Sequence, residues 1–225
     1  MLNYEVPESL LAPLVPRGTE LDRHGGRLFA SIVGFRFLGT RVRGIPIPFH
    51  ADFEEVNLRF YVRRAVGGEW RRAVVFVREL VPKRAVAWVA RLVYNEPYRR
   101  VPMSHRLSGR VGGAPAEVRY GWRADGQAGG VGGSLAAAPR PLERPSDAEF
   151  ITEHYWGYTR QRDGGTIEYE VRHPPWDVAD LVGARVEGDL ARVYGPEWAE
   201  LLVEPPRTAF YAVGSSVAVY PGERI

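Results

Sequence analysis

Lysine occurs once in the chain, at Lys83, against a total of 30 Lys and Arg residues. Arginine carries the same charge but cannot lose its proton in a protein or serve as an amine nucleophile. Lys83 is therefore the one side chain that could offer an amine to a carbonyl compound. The plainer reading is a surface lysine opening a helix, in a chain that otherwise writes arginine for every cation. Arg84 follows it directly. Glu79 precedes it by four residues, close enough to pair with the ammonium and keep it charged.

Other residues with chemical potential are spread along the chain. Glu55 and Arg59 lie four apart in an alternating segment, so they share one face. They read either as a structural ion pair or as lining for a ligand site. Trp156 and Tyr158 share a face by the same parity, as core or as an aromatic wall for a small apolar or keto ligand. His173-Pro174-Pro175-Trp176 reads as a rigid strand exit with a bonded histidine, or as part of such a site. His154 is expected to bond to backbone or a tyrosine hydroxyl, and His24, in a turn, to be solvated. The five histidines (His24, His50, His105, His154, His173) form no HxxxH or HExxH pair, so no metal site is assigned. No GxxxxGK[ST] loop, no GxGxxG after a strand and no GxSxG elbow occurs. Gly129-Gly130-Val131-Gly132-Gly133-Ser134 has the glycines of a phosphate loop but lacks its lysine and following helix, and reads as a flexible turn.

The elements that must position these residues are mostly strands. Short runs rich in Val, Phe, Tyr, Trp and Thr are punctuated by 25 glycines and 18 prolines. Arg27 to Leu38 reads as a long strand partnered by Glu20 to Arg23 across His24-Gly25-Gly26. Glu55 to Arg64 alternates cleanly and turns at Gly67-Gly68 into Glu69 to Leu80, a hairpin. Further strands are expected at Ala116 to Arg123, Val131 to Ala137, Tyr155 to Arg162, Thr166 to Arg172, Leu181 to Glu187 and Thr208 to Tyr220. Ala85 to Tyr94, entered through Pro82, reads as the clearest helix. Shorter helices are expected at Glu8 to Leu14, Asp147 to Glu153 and Glu197 to Leu202. Without sustained strand–helix alternation a doubly wound sheet is disfavoured. Residues 1–225 are expected to form one mainly β domain, a large antiparallel barrel or sandwich with a few short helices.

Composition narrows the class further. With 225 residues, 45% hydrophobic and 25% charged, the chain can bury a core. There is no cysteine, which excludes disulfides and thiolate chemistry. No apolar run approaches the roughly 20 residues of a membrane span, and the first residues lack the layout of a signal peptide, so a cytoplasmic protein is expected. A net charge of +3 without a dense basic run argues against nucleic acid as a partner.

Two stretches are denser than packing alone requires: Phe53-Glu54-Glu55-Val56-Asn57-Leu58-Arg59-Phe60-Tyr61-Val62, and Thr152-Glu153-His154-Tyr155-Trp156-Gly157-Tyr158-Thr159 continuing to Val171-Arg172-His173-Pro174-Pro175-Trp176. With Val33-Gly34-Phe35 and Val74 to Tyr94 they resemble the YqjF-type family of uncharacterised conserved bacterial proteins, over nearly the whole chain. That family is similar in turn to the acetoacetate decarboxylase-like superfamily. The resemblance implies a curved antiparallel β-barrel enclosing a ligand cavity, no cofactor and a small-molecule ligand. Barrel edges left exposed would also suit a homodimer.

Acetoacetate decarboxylases carry Arg-Glu-Leu, a spacer, then Pro-Lys-Lys. Here the stretch is Arg78-Glu79-Leu80-Val81-Pro82-Lys83-Arg84, with a shorter spacer. The resemblance places Lys83 at the Schiff-base position, Arg84 at the position that depresses its pKa, and Glu55 as the carboxylate near the amine. Apolar burial, a neighbouring cation and a helix N-terminus would each favour the neutral amine. The implied ligand site comprises Arg59, Trp156, Tyr158, His173 and Trp176, with Arg59 gripping a carboxylate. Two functions follow: binding of a keto acid-like or small apolar metabolite, or lyase or aldolase-like catalysis through an iminium on Lys83.

Overall fold

The computed structural model describes residues 1–42, 45–46, 51–83 and 97–225. Arg84 and the expected helix Ala85 to Tyr94 lie outside the described residues. The strands are β1 (Leu2–Glu5), β2 (Glu20–Leu21), β3 (Phe29–Phe37), β4 (Arg41–Val42), β5 (Ile45–Pro46), β6 (Phe53–Val66), β7 (Glu69–Val81), β8 (Tyr98–Arg100), β9 (Met103–Ser108), β10 (Glu117–Ala124), β11 (Gln127–Leu135), β12 (Trp156–Arg160), β13 (Thr166–Arg172), β14 (Val178–Glu187), β15 (Thr208–Ala212), β16 (Ala218–Val219) and β17 (Glu223–Arg224). The described helices are short: α1 (Glu8–Leu11, continued by a 3-10 turn), α2 (Asp147–Thr152), α3 (Leu190–Tyr194) and α4 (Pro196–Leu202).

Fifteen strands form one sheet in the order β16-β13-β12-β7-β6-β3-β1-β15-β14-β11-β10-β9, with β17, β2 and β8 joined beside this path. The mainly β expectation holds, but the closed barrel does not. The path ends at β9 on one side and β16 on the other, with no pairing between them among the described residues. Nor is the sheet purely antiparallel, since β7 pairs in parallel with both β8 and β12.

Side-chain packing takes the place of a closing ladder. The β9–β11 end curls back over β3 and β6. An added Cβ at Gly34 on β3 would stand 2.7 Å from the Tyr120 ring and 3.2 Å from Val131, so only glycine permits this close approach. His105 of β9 meets Glu54 of β6 through a 2.7 Å bond. The glycine run 129–134, expected as a flexible turn, lies instead inside strand β11, where side-chain-free positions admit Val118 and Ala184 backbone at close range. The short Glu20 strand also pairs elsewhere than expected, with β6 rather than β3.

The β6–β7 hairpin is the spine of the molecule. Strict alternation on β6 sends Val56, Leu58, Phe60 and Val62 into the main apolar core, where they meet Leu2, Tyr4, Ala30 and Ile32 from one side and Trp122, Val186, Tyr194 and Trp198 from the other. The opposite face carries Glu55, Asn57, Arg59 and Tyr61. Around Tyr61 this face is roofed by α2, through a second cluster of Phe29, Val74, Phe150, Ile151 and Phe210. A bulge on β7 near Leu58/Arg59 shifts the register, leaving Asn57 opposite Glu79 and Leu58 opposite Arg78. Consequently Glu79 shares the polar face and Arg78 the core face.

Candidate functional site

The greatest concentration of buried polarity near Lys83 lies where β6, β7 and β8 run side by side. Glu55, Asn57 and Glu79 are 2%, 2% and 1% exposed. Asn57 donates through Nδ2 to Glu55 Oε1 at 3.0 Å, and the Tyr98 hydroxyl reaches Glu55 Oε2 at 3.3 Å. Tyr98 is positioned by its parallel pairing with Glu79, whose amide donates to the Pro97 carbonyl at 3.2 Å. Phe37, Phe53 and Val81 pack against the same end. The arrangement is thus a carboxylate–amide–carboxylate row, with a phenol over it and apolar walls.

Such a row costs stability. A buried carboxylate loses hydration that only good bonds or a proton can replace. Carboxylates held on a buried face in this way are groups that acid–base chemistry can use. Lys83 is half-buried, two residues beyond the end of β7 and four beyond Glu79. The Pro82 carbonyl before it accepts from Arg100 Nε at 3.3 Å. Of the residues assigned chemistry in the sequence, Glu55 and Lys83 therefore fall at the same end of the β6–β7 hairpin. Asn57 and Tyr98 were missed as members, and Glu79 was read only as a partner for Lys83. Asn57 could have been found by parity with Glu55, whereas Glu79 and Tyr98 depend on the β7 bulge and on a parallel pairing.

The remaining residues are distributed differently. Arg59 shares the polar face but is bonded to α2, donating from Nη2 to the Ile151 carbonyl at 3.2 Å, with its guanidinium 5.7 Å from the Tyr61 ring. Trp156 and Tyr158 do share a face, but it is the opposite, core-side face. Trp156 pairs with Ala73, which pairs with Val62. The Tyr158 hydroxyl donates to Glu168 at 2.5 Å, and Glu168 also receives Arg64 and Arg71, while the Arg71 guanidinium covers the Trp156 ring at 4.0 Å. Burial foremost, and the Glu168 bond after it, raise the Tyr158 phenol well above its ordinary range. His173 and Trp176 form a third group. Their rings stack at 4.1 Å, His173 Nδ1 lies 2.9 Å from the Pro174 carbonyl, and Trp176 donates to Ser215 at 2.8 Å.

Two histidine expectations change. His24 is half-buried rather than solvated, its Nε2 3.1 Å from Asp147 and its ring stacked on Phe150. His154 faces a carboxylate, Asp22, rather than backbone or a hydroxyl. In both cases the partner lies more than 120 residues away in the chain, beyond the reach of local pattern. No helix of the described residues is long and apolar enough to cross a membrane.

Comparison with known proteins places this geometry. The family model described as DUF2071, uncharacterized conserved protein, matches residues 1–216. The uncharacterized protein YqjF of Bacillus subtilis is 28% identical over 182 residues, covering 77% of this chain and 69% of that protein. Among solved structures, acetoacetate decarboxylase from Legionella pneumophila superposes with a TM-score of 0.63 at 13% identity, over 100% of this chain and 82% of that one. The enduracididine biosynthesis enzyme MppR, complexed with pyruvate, gives 0.64 at 10% identity over 99% and 86%. An acetoacetate decarboxylase-like enzyme from Sphingomonas wittichii gives 0.63 at 14% identity over 100% and 88%. At such identities the shared property is the fold.

Proposed function

The chain belongs to the DUF2071 family of uncharacterized conserved proteins, and from that premise we propose that it binds a small keto acid-like or apolar metabolite where Glu55, Asn57 and Glu79 gather near Lys83. The observation that carries this reading is the burial of two carboxylates and an amide, each 2% exposed or less, on one face at the end of β6 and β7. A fold selected for stability alone would place apolar side chains there, and departures from that pattern concentrate at functional sites. The ligand class is drawn from the fold neighbours, one of which holds pyruvate.

A second reading is favoured by the position of Lys83 beyond Glu79. In it the neutral ε-amine adds to the ketone carbon of a β-keto acid, and loss of water gives an iminium. Carbon dioxide leaves, its bonding electrons passing into the iminium to form an enamine. Protonation at carbon and addition of water release the ketone and restore the amine. Glu55 would move the protons, with Arg59 on the same face as a carboxylate partner.

One experiment separates the readings. The protein is incubated with a panel of small keto acids and β-diketones, with and without borohydride, and both intact mass and thermal stability are measured. A mass increment on the Lys83 peptide, absent in Lys83→Arg, establishes the iminium and the lyase reading. Stabilisation without an adduct, lost in Glu55→Gln, establishes binding alone. Neither response to any compound sinks the proposal for this ligand class.

A further inference from the structure

Two buried polar atoms on one face of β6 have no hydrogen-bond partner among the described residues: the side-chain oxygen Oδ1 of Asn57 and the Nε–H of Arg59. In each side chain a bond elsewhere fixes the group and leaves this atom over. Asn57 turns its amide nitrogen to Glu55 at 3.0 Å, so the trigonal amide turns its oxygen away from that carboxylate. Arg59 sends Nη2 to the Ile151 carbonyl of α2 at 3.2 Å, leaving Nε, closer to the backbone, unused. Buried polar groups are nearly always bonded, and an acceptor and a donor left over side by side need an explanation.

The strand itself sets their spacing. Asn57 and Arg59 are two residues apart on β6 and leave the same face, about 6.6 Å from one to the next. A single oxygen bonded to both spans about 6 Å through two bonds of ordinary length. Solvent reaches the margins of this face. Phe76, paired with Arg59, and Phe35, paired with Glu55, are both half-buried, as is Arg59. Ser31, the other neighbour of Arg59, does not supply the bond, because its hydroxyl is engaged by Asn3 at 2.7 Å and Tyr61 at 2.6 Å.

We infer that Asn57 and Arg59 together read a hydroxyl group, so that the ligand of this face is an alcohol-bearing compound. The chemistry of the two atoms selects the class. A carbonyl or carboxylate oxygen accepts only, which would serve Arg59 and set two acceptors against each other at Asn57. An ammonium donates only, which would serve Asn57 and stand against the guanidinium. A hydroxyl donates its proton to Asn57 Oδ1 and accepts from Arg59 Nε through one oxygen. The inference rests on the binding reading above for the rest of the ligand, and it gives a hydroxyl the place beside Arg59 that the lyase reading gives a carboxylate. The hydroxyl sits one strand step from the acidic row, toward α2, so it belongs to the body of the ligand rather than to the group held by Glu55.

The test measures affinities of the full chain for two matched pairs: 2-oxopentanoate with 4-hydroxy-2-oxopentanoate, and 1-pentanol with 1,4-pentanediol. In the wild type the added hydroxyl should tighten binding at least about tenfold, since the analogue without it leaves both protein atoms unpaired. In Arg59→Lys and in Asn57→Leu that ratio should fall to near one, whatever happens to the affinity for the parent compound. Arg59→Lys keeps the charge and carries the test alone if Asn57→Leu does not fold. Equal binding within both pairs would overturn the inference, showing that the two atoms hold water only, and would leave the acidic row standing. A hydroxyl advantage that survives both variants would overturn it too, because the group is then read elsewhere. If the keto acids fail to bind while the diol keeps its advantage over pentanol, the keto acid reading falls and the hydroxyl site stands; if no probe binds at millimolar concentration, both fall.

Discussion

His154 Nε2 stands 3.4 Å from Asp22 Oδ2, and the same pairing recurs in reverse one step away, with His24 Nε2 3.1 Å from Asp147 Oδ1. The segment after β2 thus supplies a carboxylate and an imidazole to α2 and its exit, which return an imidazole and a carboxylate. Phe150 sits between, contacted by both histidine rings. Arg72 completes the group, bonded to Asp22 at 2.8 Å and lying over the Phe150 ring at 4.6 Å. This crossed pair of contacts holds α2 over the face of β6 that bears Arg59 and Tyr61.

The first prediction concerns acid. Burial pushes the His154 imidazole down to about 4; the Asp22 bond opposes this and the Arg72 and Arg59 charges reinforce it. Burial alone would raise the Asp22 carboxyl, but the bonds from His154 and Arg72 overrule it and hold the group low. The folded chain therefore keeps His154 neutral where the unfolded chain, with its imidazole at the ordinary 6.5, binds a proton. Stability from this group is full above pH 6.5 and is lost as pH falls from there to about 4. The loss is on the order of 3 kcal/mol. Urea unfolding across this range should show the slope, and His154→Gln should flatten it; equal slopes in both proteins would refute the assignment.

The second concerns the crossing at Gly34. Alanine there puts a methyl against the Tyr120 ring and Val131. Both belong to the packed layer that replaces barrel closure, so neither can retreat freely. Gly34→Ala should cost about 1–3 kcal/mol. Denaturant midpoints give the value, and a change within error would mean that the β10–β11 layer yields easily.

Glu168 is the third target. It is nearly buried and receives Tyr158, Arg64 and Arg71. Glu168→Ala should cost about 3 kcal/mol, because it strands charges gathered around it. Tyr158→Phe should cost only about 1 kcal/mol. The double variant should cost less than the two singles together, by at least about 0.5 kcal/mol; strict additivity would show that the three bonds act independently.

A fourth, smaller prediction tests how α2 is held. Ser146 caps it, its Oγ accepting from the Glu149 amide at 3.0 Å. Ser146→Ala should lower stability by about 1 kcal/mol. Because α2 carries Asp147 and leads into His154, the same change should also speed amide hydrogen exchange in α2 and in residues 22–24. Exchange faster only within α2 would show that the crossed pairs hold without the cap.

Local pattern made the strands legible. Alternation from Glu55 to Arg64 placed Glu55 and Arg59 on one face, and parity placed Trp156 and Tyr158 together. What parity cannot give is which side of the sheet each pair faces, and the two pairs face opposite sides. The bulge that sets Glu79 opposite Asn57 adds one residue to β7 without any glycine or proline to announce it. The six-residue glycine run looked like a turn because turns use glycine. Here the glycines admit close neighbours within a strand instead. Closure failed as an expectation because it depends on whether the two outermost strands meet, a property of the whole sheet rather than of any segment.

The position of β1 within the sheet governs how the chain can come together. The first strand lies between β3 and β15, with Leu2 opposite both Ile32 and Ala209. On a ribosome, β1 can pair on one side early, but its other edge stays open until some 200 further residues have been made. Closing so long a loop is entropically slow, and an unpaired edge is open to other chains meanwhile. The sheet is therefore completed only once β15 has been made, and shortening the chain before β15 would leave the middle of the sheet, rather than its margin, without a neighbour.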